Sequence, residues 1–318
     1  MSEFSIIEKY FSEIGSQRAD VSLSVGDDAA IVSVANVQSL AISVDTLIEN
    51  VHFPNATSPY DIGWKSLAVN LSDMAAMAAR PQWATLALTL PEVDENWLAE
   101  FSRGFSDLAK LYDVQLVGGD TTRGSLSISV QIIGGYENSL AIKRDQAKVG
   151  DGIYVTGYLG DAALGLKSLN ESLPLSDTEK LVLLSRLNRP QPKVAEALHL
   201  APLINAAIDL SDGISSDLSH IVTMSGVAAI VDVNAIPVSG SYRRCNQHGQ
   251  LFDLALSGGD DYELCFTVEQ ESEEKLMMEA VKLDLKCTRI GEIVEGAGLT
   301  FMNGNEEYIV QQKAYDHF

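Results

Sequence analysis

The chain has 318 residues, with 22 basic and 44 acidic side chains and a formal net charge of −22. A protein this acidic repels the phosphate backbone of nucleic acids and anionic membrane surfaces, so neither is an expected partner. Because 46% of the residues are hydrophobic and 21% are charged, disorder is excluded and two domains are expected.

Hydrophobic spacing and turn residues predict helices and strands in alternation along the chain. In the first half they predict helices over 2–13, 61–79 and 94–112, with strands over 40–44, 84–90, 114–117 and 126–133. The strand over 40–44 is expected to be buried, and Gly118-Gly119 is expected to form a turn. In the second half they predict strands over 153–156, 206–210, 254–256, 264–267 and 286–290, with helices between them. This alternation indicates an α/β or α+β class with a boundary within 135–150.

Three features bear on where the protein works. The three cysteines, Cys245, Cys265 and Cys287, are too few for a disulfide framework and include no Cys-x-x-Cys pair. Reduced thiols in a cytoplasm fit this pattern best. The N-terminal residues show no export signal, and no run of about 18 apolar residues predicts a membrane span.

Six segments end an apolar strand or helix in a turn that carries Asp, at 25–28, 42–46, 70–73, 117–122, 208–213 and 257–261. Each Asp alone is more typical of a turn or a helix N-cap. Together they indicate an acidic cleft, because loops at strand ends are where α/β proteins bind ligands. Carboxylate and hydroxyl oxygens select Mg²⁺, Mn²⁺ or Ca²⁺, and Mg²⁺ commonly shares its coordination with substrate phosphates.

The common nucleotide-binding motifs are absent from the sequence, so ATP would be bound by another scheme. Gly118 and Gly119 allow a backbone to approach anionic oxygens closely. Arg144 is a candidate for phosphate contact, whereas Lys143 and Arg123 are more typical of surface ion pairs. The five histidines form no His-x-x-x-His pair, which argues against a histidine-bound metal.

Seven ordered motifs resemble those of the thiamine-monophosphate kinase family. They are Gly-Asp-Asp-Ala (26–29), Ser-Val-Asp-Thr-Leu-Ile-Glu-Asn-Val-His-Phe (43–53), Asn-Leu-Ser-Asp-Met-Ala-Ala-Met (70–77), Gly-Gly-Asp-Thr-Thr-Arg (118–123), Asp-Leu-Ser-Asp-Gly (209–213), Ser-Gly-Gly-Asp-Asp-Tyr-Glu-Leu (257–264) and Tyr-Asp-His-Phe (315–318). This family belongs to the ATP-dependent superfamily that includes aminoimidazole ribonucleotide synthetase.

The resemblance implies a two-domain aminoimidazole ribonucleotide synthetase-like fold. Residues 1–142 would bind ATP and Mg²⁺ and supply the strands of a homodimer interface, and residues 143–318 would form an α/β domain that closes the cleft. The implied reaction converts thiamine monophosphate and ATP to thiamine diphosphate and ADP, the last step of thiamine diphosphate biosynthesis. It would proceed by direct in-line phosphoryl transfer with several Mg²⁺ ions, because a phosphate monoester is largely dianionic at neutral pH and requires no strong base.

The resemblance also implies roles for individual residues. The implied metal ligands are Asp28, Ser43, the peptide oxygen of Val44, Asp45, Asp73, Asp120, Asp209 and Asp212. The implied ATP contacts are Gly119, Asp120, Arg144 and Ser211. The implied substrate contacts are His52, Asp260 and Tyr315, and the catalytic set is Asp45, Asp120 and Arg144.

Three positions depart from the family pattern. Asp260 stands where the family usually has Glu, the usual Pro after Lys143 is missing, and Tyr315 stands where some members have Trp. Either ring at the last position could stack on a cationic thiazolium. Two alternatives stay open: a sister ATP-dependent enzyme of the superfamily, and a noncatalytic Mg²⁺-binding protein.

Overall fold

The computed structural model describes residues 3–25, 30–34, 39–136, 141–246 and 252–311. The chain divides into two units, one formed by Met1–Met74 and Ala79–Leu140 and the other by Ala75–Ala78 and Ala141–Phe318. The first unit contains α1 (Glu3–Tyr10), β1 (Val21–Leu23), β2 (Ile31–Val32), β3 (Ser39–Ile48), α2 (Pro59–Ala76), β4 (Arg80–Leu90), α3 (Glu95–Leu111), β5 (Gln115–Arg123) and β6 (Ser127–Tyr136).

A four-stranded sheet in the order β3-β6-β4-β5 forms the framework of the first unit. β6 pairs antiparallel with β3 and β4, and β4 pairs parallel with β5. The helix α3 begins where the Asp94 carboxylate accepts the N–H groups of Asn96 and Trp97 at 2.8 and 3.1 Å. Gly63 of α2 and Gly104 of α3 permit close helix contact, because a methyl group at either position would meet backbone atoms of the opposite helix.

The edge strand β3 has one face turned toward solvent within this chain. Leu40, Ile42, Val44 and Ile48 are 44, 61, 60 and 42% exposed, whereas Leu47, on the opposite face, is 3% exposed. The prediction of a buried strand over 40–44 is therefore wrong for the single chain. Its apolar residues alternate between a covered face and an open one.

The second unit contains the remaining elements. They are β7 (Gly152–Thr156), α4 (Asp161–Asn170), α5 (Asp177–Asn188), α6 (Val194–Leu200), β8 (Ala206–Asp209), α7 (Ile214–Ser225), β9 (Ala228–Asp232), α8 (Gly240–Cys245), α9 (Phe252–Ser257), β10 (Leu264–Val268), α10 (Glu273–Lys282), β11 (Cys287–Val294), β12 (Gly298–Asn303) and β13 (Glu306–Glu307). Short 3₁₀ turns lie at Ala201–Leu203 and Gln270–Ser272.

These strands form a seven-stranded sheet in the order β13-β12-β9-β11-β7-β10-β8. Among the described residues its pairs are antiparallel except β9 with β12. Every residue of β7, β8 and β10 is buried, which explains why these strands read as continuous runs in the sequence rather than as alternating ones. The predicted site residues of this unit lie in the loop that follows the carboxyl end of β8 and in the loop that precedes the amino end of β10.

The mixed α/β class and the two-domain architecture are confirmed, and several local predictions besides the burial of β3 are wrong. The Asp-bearing turns expected at 42–46 and 70–73 do not form, because Asp45 lies inside β3 and Asp73 inside α2. Residues 254–256 belong to the helix α9 and not to a strand. Gly118 and Gly119 lie within β5 and not in a turn. A short apolar stretch is compatible with a strand or a helix, and a glycine-rich one with a strand or a turn. The long-range pairing of β5 with β4 places Gly118 and Gly119 in a strand.

Two further observations bear on the expectations from composition. Cys245, Cys265 and Cys287 are all free, and the last two are buried. Throughout the described ranges, every helix is too short or too polar to cross a membrane.

Candidate functional site

In the first unit, two predicted metal ligands of β3, Ser43 and Asp45, lie on the covered face of the strand. Side chains alternate along a strand, so Ser43 and Asp45 share the face of Leu47, and both are only partly exposed. The Ser43 hydroxyl donates a short hydrogen bond to the carboxylate of Asp73, which lies in α2. Two of the predicted ligands are thus in direct contact, and a third lies on the same face of the strand.

The side chain of Val44 lies on the opposite, exposed face of β3. Its candidate metal ligand is therefore the peptide oxygen, as the resemblance to the family implies. The predictions for Asp28 and Tyr315 lie outside the described residues.

Gly119 and Asp120 lie in β5, beside Leu86 and Ala87 of β4. A Cβ at Gly119 would lie 1.9 Å from the carbonyl oxygen of Leu86, so only glycine fits there. Asp120 is exposed. The close strand contact therefore leaves the backbone of Gly119 without a side chain next to an accessible carboxylate.

His52 lies in a tight turn after β3. Its amide donates to the carbonyl of Ile48 at 3.0 Å, and the Ile48 amide donates to its Nδ1 at 2.9 Å. The carbonyl of His52 accepts a hydrogen bond of 3.1 Å from Nζ of Lys65, a residue that is 1% exposed. The ring and the backbone of His52 are therefore both held in place.

In the second unit, Asp209 ends β8 and is 4% exposed. The turn that follows carries Ser211 and Asp212 and ends at Gly213, immediately before α7. Gly213 has φ 104°, and a Cβ there would lie 2.7 Å from the Cα of Ser257. The turn thus requires glycine for both its backbone conformation and its close approach.

Asp217 anchors this turn from the first helical turns of α7. Its Oδ2 accepts the N–H groups of Asp212 and Gly213, each at 3.1 Å, and the residue is 3% exposed. Burial, and then the charges of Asp209 and Asp212, raise the pKa of Asp217 to about 8. Because neighbouring carboxylates repel one another, a bound cation would stabilise their ionised forms.

The loop that carries Asp260 is joined to the Asp209–Gly213 turn by backbone hydrogen bonds. The amide of Asp260 donates to the carbonyl of Ser211 at 2.8 Å, and that of Tyr262 donates to Leu210 at 2.8 Å. Asp260 and Tyr262 have φ of 62° and 49°, which is uncommon for residues with a side chain. The predicted nucleotide residue Ser211 and the predicted substrate residue Asp260 are therefore neighbours in space.

Asp261 fixes the middle of the same loop. Its carboxylate accepts the N–H of Gly160, the N-cap residue of α4, with distances of 3.0 and 2.8 Å to its two oxygens. Burial of this carboxylate raises the pKa of Asp261 well above its ordinary range. A side chain between two left-handed residues thus attaches the loop to the start of a helix.

Arg144 has an exposed side chain and an anchored backbone. Its carbonyl accepts the hydroxyl of Ser225 at 2.9 Å, and the same hydroxyl accepts the N–H of Ala147 at 3.1 Å. The end of α7 therefore holds the segment that carries this guanidinium. Such a placement leaves the charge accessible to an anion.

The donor set fits a hard cation. Ser43, Asp45 and Asp73 offer oxygen atoms in the first unit, and Asp209 and Asp212 offer them in the second. Within the described residues, no three His, Cys, Asp or Glu side chains are close enough to hold a metal ion by themselves. Mg²⁺ often takes one or two carboxylates and completes its shell with phosphates and water, so oxygen donors of this kind suit it.

Sequence reasoning did not identify Lys65, Asp217 or Asp261. Lysine is ordinarily exposed, and nothing local to the sequence shows that α2 buries Lys65. For Asp217 a signal was available, since an acid in the first turns of a helix after Asp-Gly can accept N–H groups of the preceding turn.

Comparisons with known proteins agree with this architecture. Residues 26–135 match the N-terminal domain of AIR synthase related proteins, and residues 148–302 match the C-terminal domain. A structure of the hydrogenase maturation protein HypE from E. coli has a TM-score of 0.75 at 20% identity, which shows a shared fold alone. The two units and their loops therefore define an AIR synthase-related protein.

Proteins with higher sequence identity to this chain identify its family more specifically. The thiamine-monophosphate kinase of Salmonella typhimurium is 47% identical and covers 99% of this chain and 98% of its own, and that of Bacillus subtilis is 34% identical over the full length of both. A crystal structure of thiamine-monophosphate kinase from Stenotrophomonas maltophilia K279a has a TM-score of 0.84 at 46% identity, covering 90% of this chain and 92% of that one. A structure of AaThiL complexed with AMPPCP and TMP has a TM-score of 0.78 at 31% identity, covering 93% and 92%. The chain belongs to the thiamine-monophosphate kinase family.

Proposed function

We infer that this protein transfers the γ-phosphoryl group of ATP to thiamine monophosphate, forming thiamine diphosphate and ADP. The observation that carries this inference is the full-length identity of 34–47% to thiamine-monophosphate kinases. The AaThiL structure, complexed with AMPPCP and TMP, supports the same pair of ligands, because AMPPCP is an ATP analogue.

The reaction needs positioning more than it needs a base. An oxygen of the substrate phosphate forms a bond to the γ-phosphorus as the bond from that phosphorus to the β-phosphate oxygen breaks, and ADP leaves. The second pKa of a phosphate monoester is about 6, so the nucleophile is already ionised at neutral pH. The main obstacle is the repulsion between two anions, and Mg²⁺, when bound, would neutralise charge on both phosphates and align them.

We assign the residues of this chain to three tasks. Ser43, Asp45 and Asp73, with the peptide oxygen of Val44 and with Asp28, would hold Mg²⁺ beside the phosphates, as would Asp120, Asp209 and Asp212. Gly119, Ser211 and Arg144 would contact the nucleotide phosphates. His52, Asp260 and Tyr315 would contact thiamine monophosphate. The hydrogen bond of Ser43 with Asp73 supports their shared task, and that of Asp260 with Ser211 supports adjacent binding of the substrate and the nucleotide phosphates.

The proposal also covers assembly and compartment. A homodimer formed through the first unit's strands would cover the exposed apolar residues of β3, of which Ile42 and Val44 are 61 and 60% exposed. The free state of all three cysteines suits the reducing cytoplasm.

The direct test is an assay of purified protein with ATP, Mg²⁺ and thiamine monophosphate, with the diphosphate separated by chromatography. The wild-type protein should form thiamine diphosphate and an equal amount of ADP. Asp120→Asn should raise the reaction barrier by on the order of 3 kcal/mol, because it weakens the binding of the Mg²⁺ that would neutralise the charge of the transferred phosphoryl group. Glu92 is another exposed acid and has no assigned role, so Glu92→Gln is the control and should leave turnover unchanged.

Two results would contradict these assignments. Stabilisation by Mg²⁺ with no diphosphate formed would favour a noncatalytic Mg²⁺-binding protein. Full activity of Asp120→Asn would remove Asp120 from the metal-binding set while leaving the reaction itself in place.

A further inference from the structure

Lys65 is a charged side chain inside the first unit that has no part in the proposed reaction. It lies in the second turn of α2 and is 1% exposed. Burial of an ammonium group is costly unless protein acceptors replace its hydration. One of its acceptors is the carbonyl oxygen of His52, 3.1 Å from Nζ. A buried charge therefore holds the backbone of a residue assigned to the substrate.

The turn around His52 has little freedom once this carbonyl is held. Its first residue, Ile48, accepts the amide of His52 at 3.0 Å, and Asn50 donates to Phe53 at 2.9 Å. Asn50 has φ 62°, a left-handed conformation that a tight turn requires. Phe53 closes the turn and is 3% exposed. Lys65 thus secures the one side of the turn that faces α2.

The hydrogen bond to the imidazole determines which tautomer is present. The Ile48 amide donates to Nδ1 of His52 at 2.9 Å, and a backbone amide can only donate. Nδ1 is therefore the acceptor nitrogen, and the ring hydrogen lies on Nε2. An Nε2–H group is a donor, which suits the oxygen of a phosphate monoester.

We propose that Lys65 is a positioning residue for the phosphate monoester substrate. By holding the carbonyl of His52, it keeps the turn in the one arrangement in which Ile48 donates to Nδ1 and Nε2–H is directed to the ligand. Lys65 acts through His52. The proposal rests on the proposed function, in which His52 contacts thiamine monophosphate.

The kinetic test compares Lys65→Met with Ser66→Ala. Methionine keeps the length and apolar stem of lysine and removes the ammonium group. Ser66 is the next residue of α2, is 1% exposed and donates only to Gly63 of the same helix at 2.9 Å, so its loss tests the general effect of removing a buried hydrogen bond there. Lys65→Met should raise KM for thiamine monophosphate by about tenfold, with KM for ATP changed less than about twofold. Ser66→Ala should change neither KM by more than about twofold.

The second measurement determines the tautomer of the His52 imidazole directly. Long-range ¹H–¹⁵N spectra of the full-length protein, assigned with His52→Gln, should show a neutral ring protonated at Nε2 in the wild type. In Lys65→Met the ¹⁵N shifts of the two ring nitrogens should move toward averaged values. The loosened turn would no longer hold the Ile48 amide at Nδ1, so both tautomers would be populated.

The outcomes separate the two proposals. A wild-type protein without turnover of thiamine monophosphate would remove the proposed function, whereas the spectra would still decide whether Lys65 positions His52. Lower thermal stability of Lys65→Met with unchanged KM and unchanged His52 shifts would overturn the positioning role. Should Lys65→Met fail to fold, a wild-type His52 protonated at Nδ1 would overturn it as well.

Discussion

Gly213 offers the sharpest test of how the fold shapes the second unit's site. Its φ of 104° and ψ of 150° lie in a region that is essentially restricted to glycine, so Gly213→Ala should cost about 1–3 kcal/mol in backbone strain. The added Cβ would lie 2.7 Å from the Cα of Ser257, and the movement needed to relieve that contact should cost about 1–3 kcal/mol more. The free energy of unfolding should therefore fall by about 2–6 kcal/mol.

The same movement should damage activity, because Ser211 and Asp212 lie in the turn that must shift. A displacement of about 1 Å in a positioning group can cost about a hundredfold in rate, so kcat/KM should fall by about that factor. Urea unfolding measures the first effect, and the thiamine diphosphate assay measures the second at a temperature where the variant is folded.

Gly226 supplies the matched control at the other end of α7. It has φ 67° and ψ 38°, and a Cβ there would meet nothing within 4 Å. Gly226→Ala should therefore lose only about 1 kcal/mol and keep full activity. Equal stability and equal activity of the two variants would refute the argument that the close contact at Gly213 shapes the site.

Three further predictions concern stability and assembly. The hydrogen bond from Arg18 lowers the pKa of Asp20, so this carboxylate stabilises the fold above its ordinary pKa and ceases to do so as the pH falls through the lowered folded value. Asp20→Asn should therefore lower the free energy of unfolding by about 1–2 kcal/mol at pH 7 and by progressively less as the pH falls through that value, as a series of urea titrations from pH 7 downward would show. Tyr242→Phe should cost about 1–3 kcal/mol by the same measurement at pH 7, because it leaves the buried amide of Ala255 without its 3.0 Å acceptor, and an unchanged midpoint would contradict this. Ile42→Asp should convert the proposed dimer to a monomer in light scattering, since it places a charge on the apolar face of β3; a persistent dimer would place the interface elsewhere.

Much of the fold could be predicted because local signals and tertiary packing agree. Helix α3 has a capping Asp94 and apolar residues at helical spacing, and the structure begins it at Glu95. Helix α9 was predicted as a strand because three apolar residues have no periodicity that separates the two classes. The exposure of β3 could not be predicted, since an apolar strand gives no information on whether its own chain covers it.

Part of the candidate site could likewise be predicted from the sequence, and part could not. Turns rich in Asp, Gly and Ser mark the positions of Asp209 and Asp260 in the sequence, because few other residues suit such turns. Asp45 lies inside β3 instead, so a turn signal did not locate it correctly. The link between Ser211 and Asp260 depends on a backbone hydrogen bond between segments almost 50 residues apart, and no side-chain pattern encodes it. Burial of Lys65 likewise depends on which face of α2 is covered.

The hydrogen bond from the Asp260 amide to the Ser211 carbonyl has a thermodynamic consequence for ligand binding. If Ser211 contacts the nucleotide and Asp260 the thiamine phosphate, a ligand that orders either loop spares the other ligand part of the entropy loss on binding. By linkage, each ligand would then strengthen the binding of the other by the same factor. Because the link is between main-chain atoms, side-chain substitutions at either residue would weaken one affinity and leave this mutual effect in place.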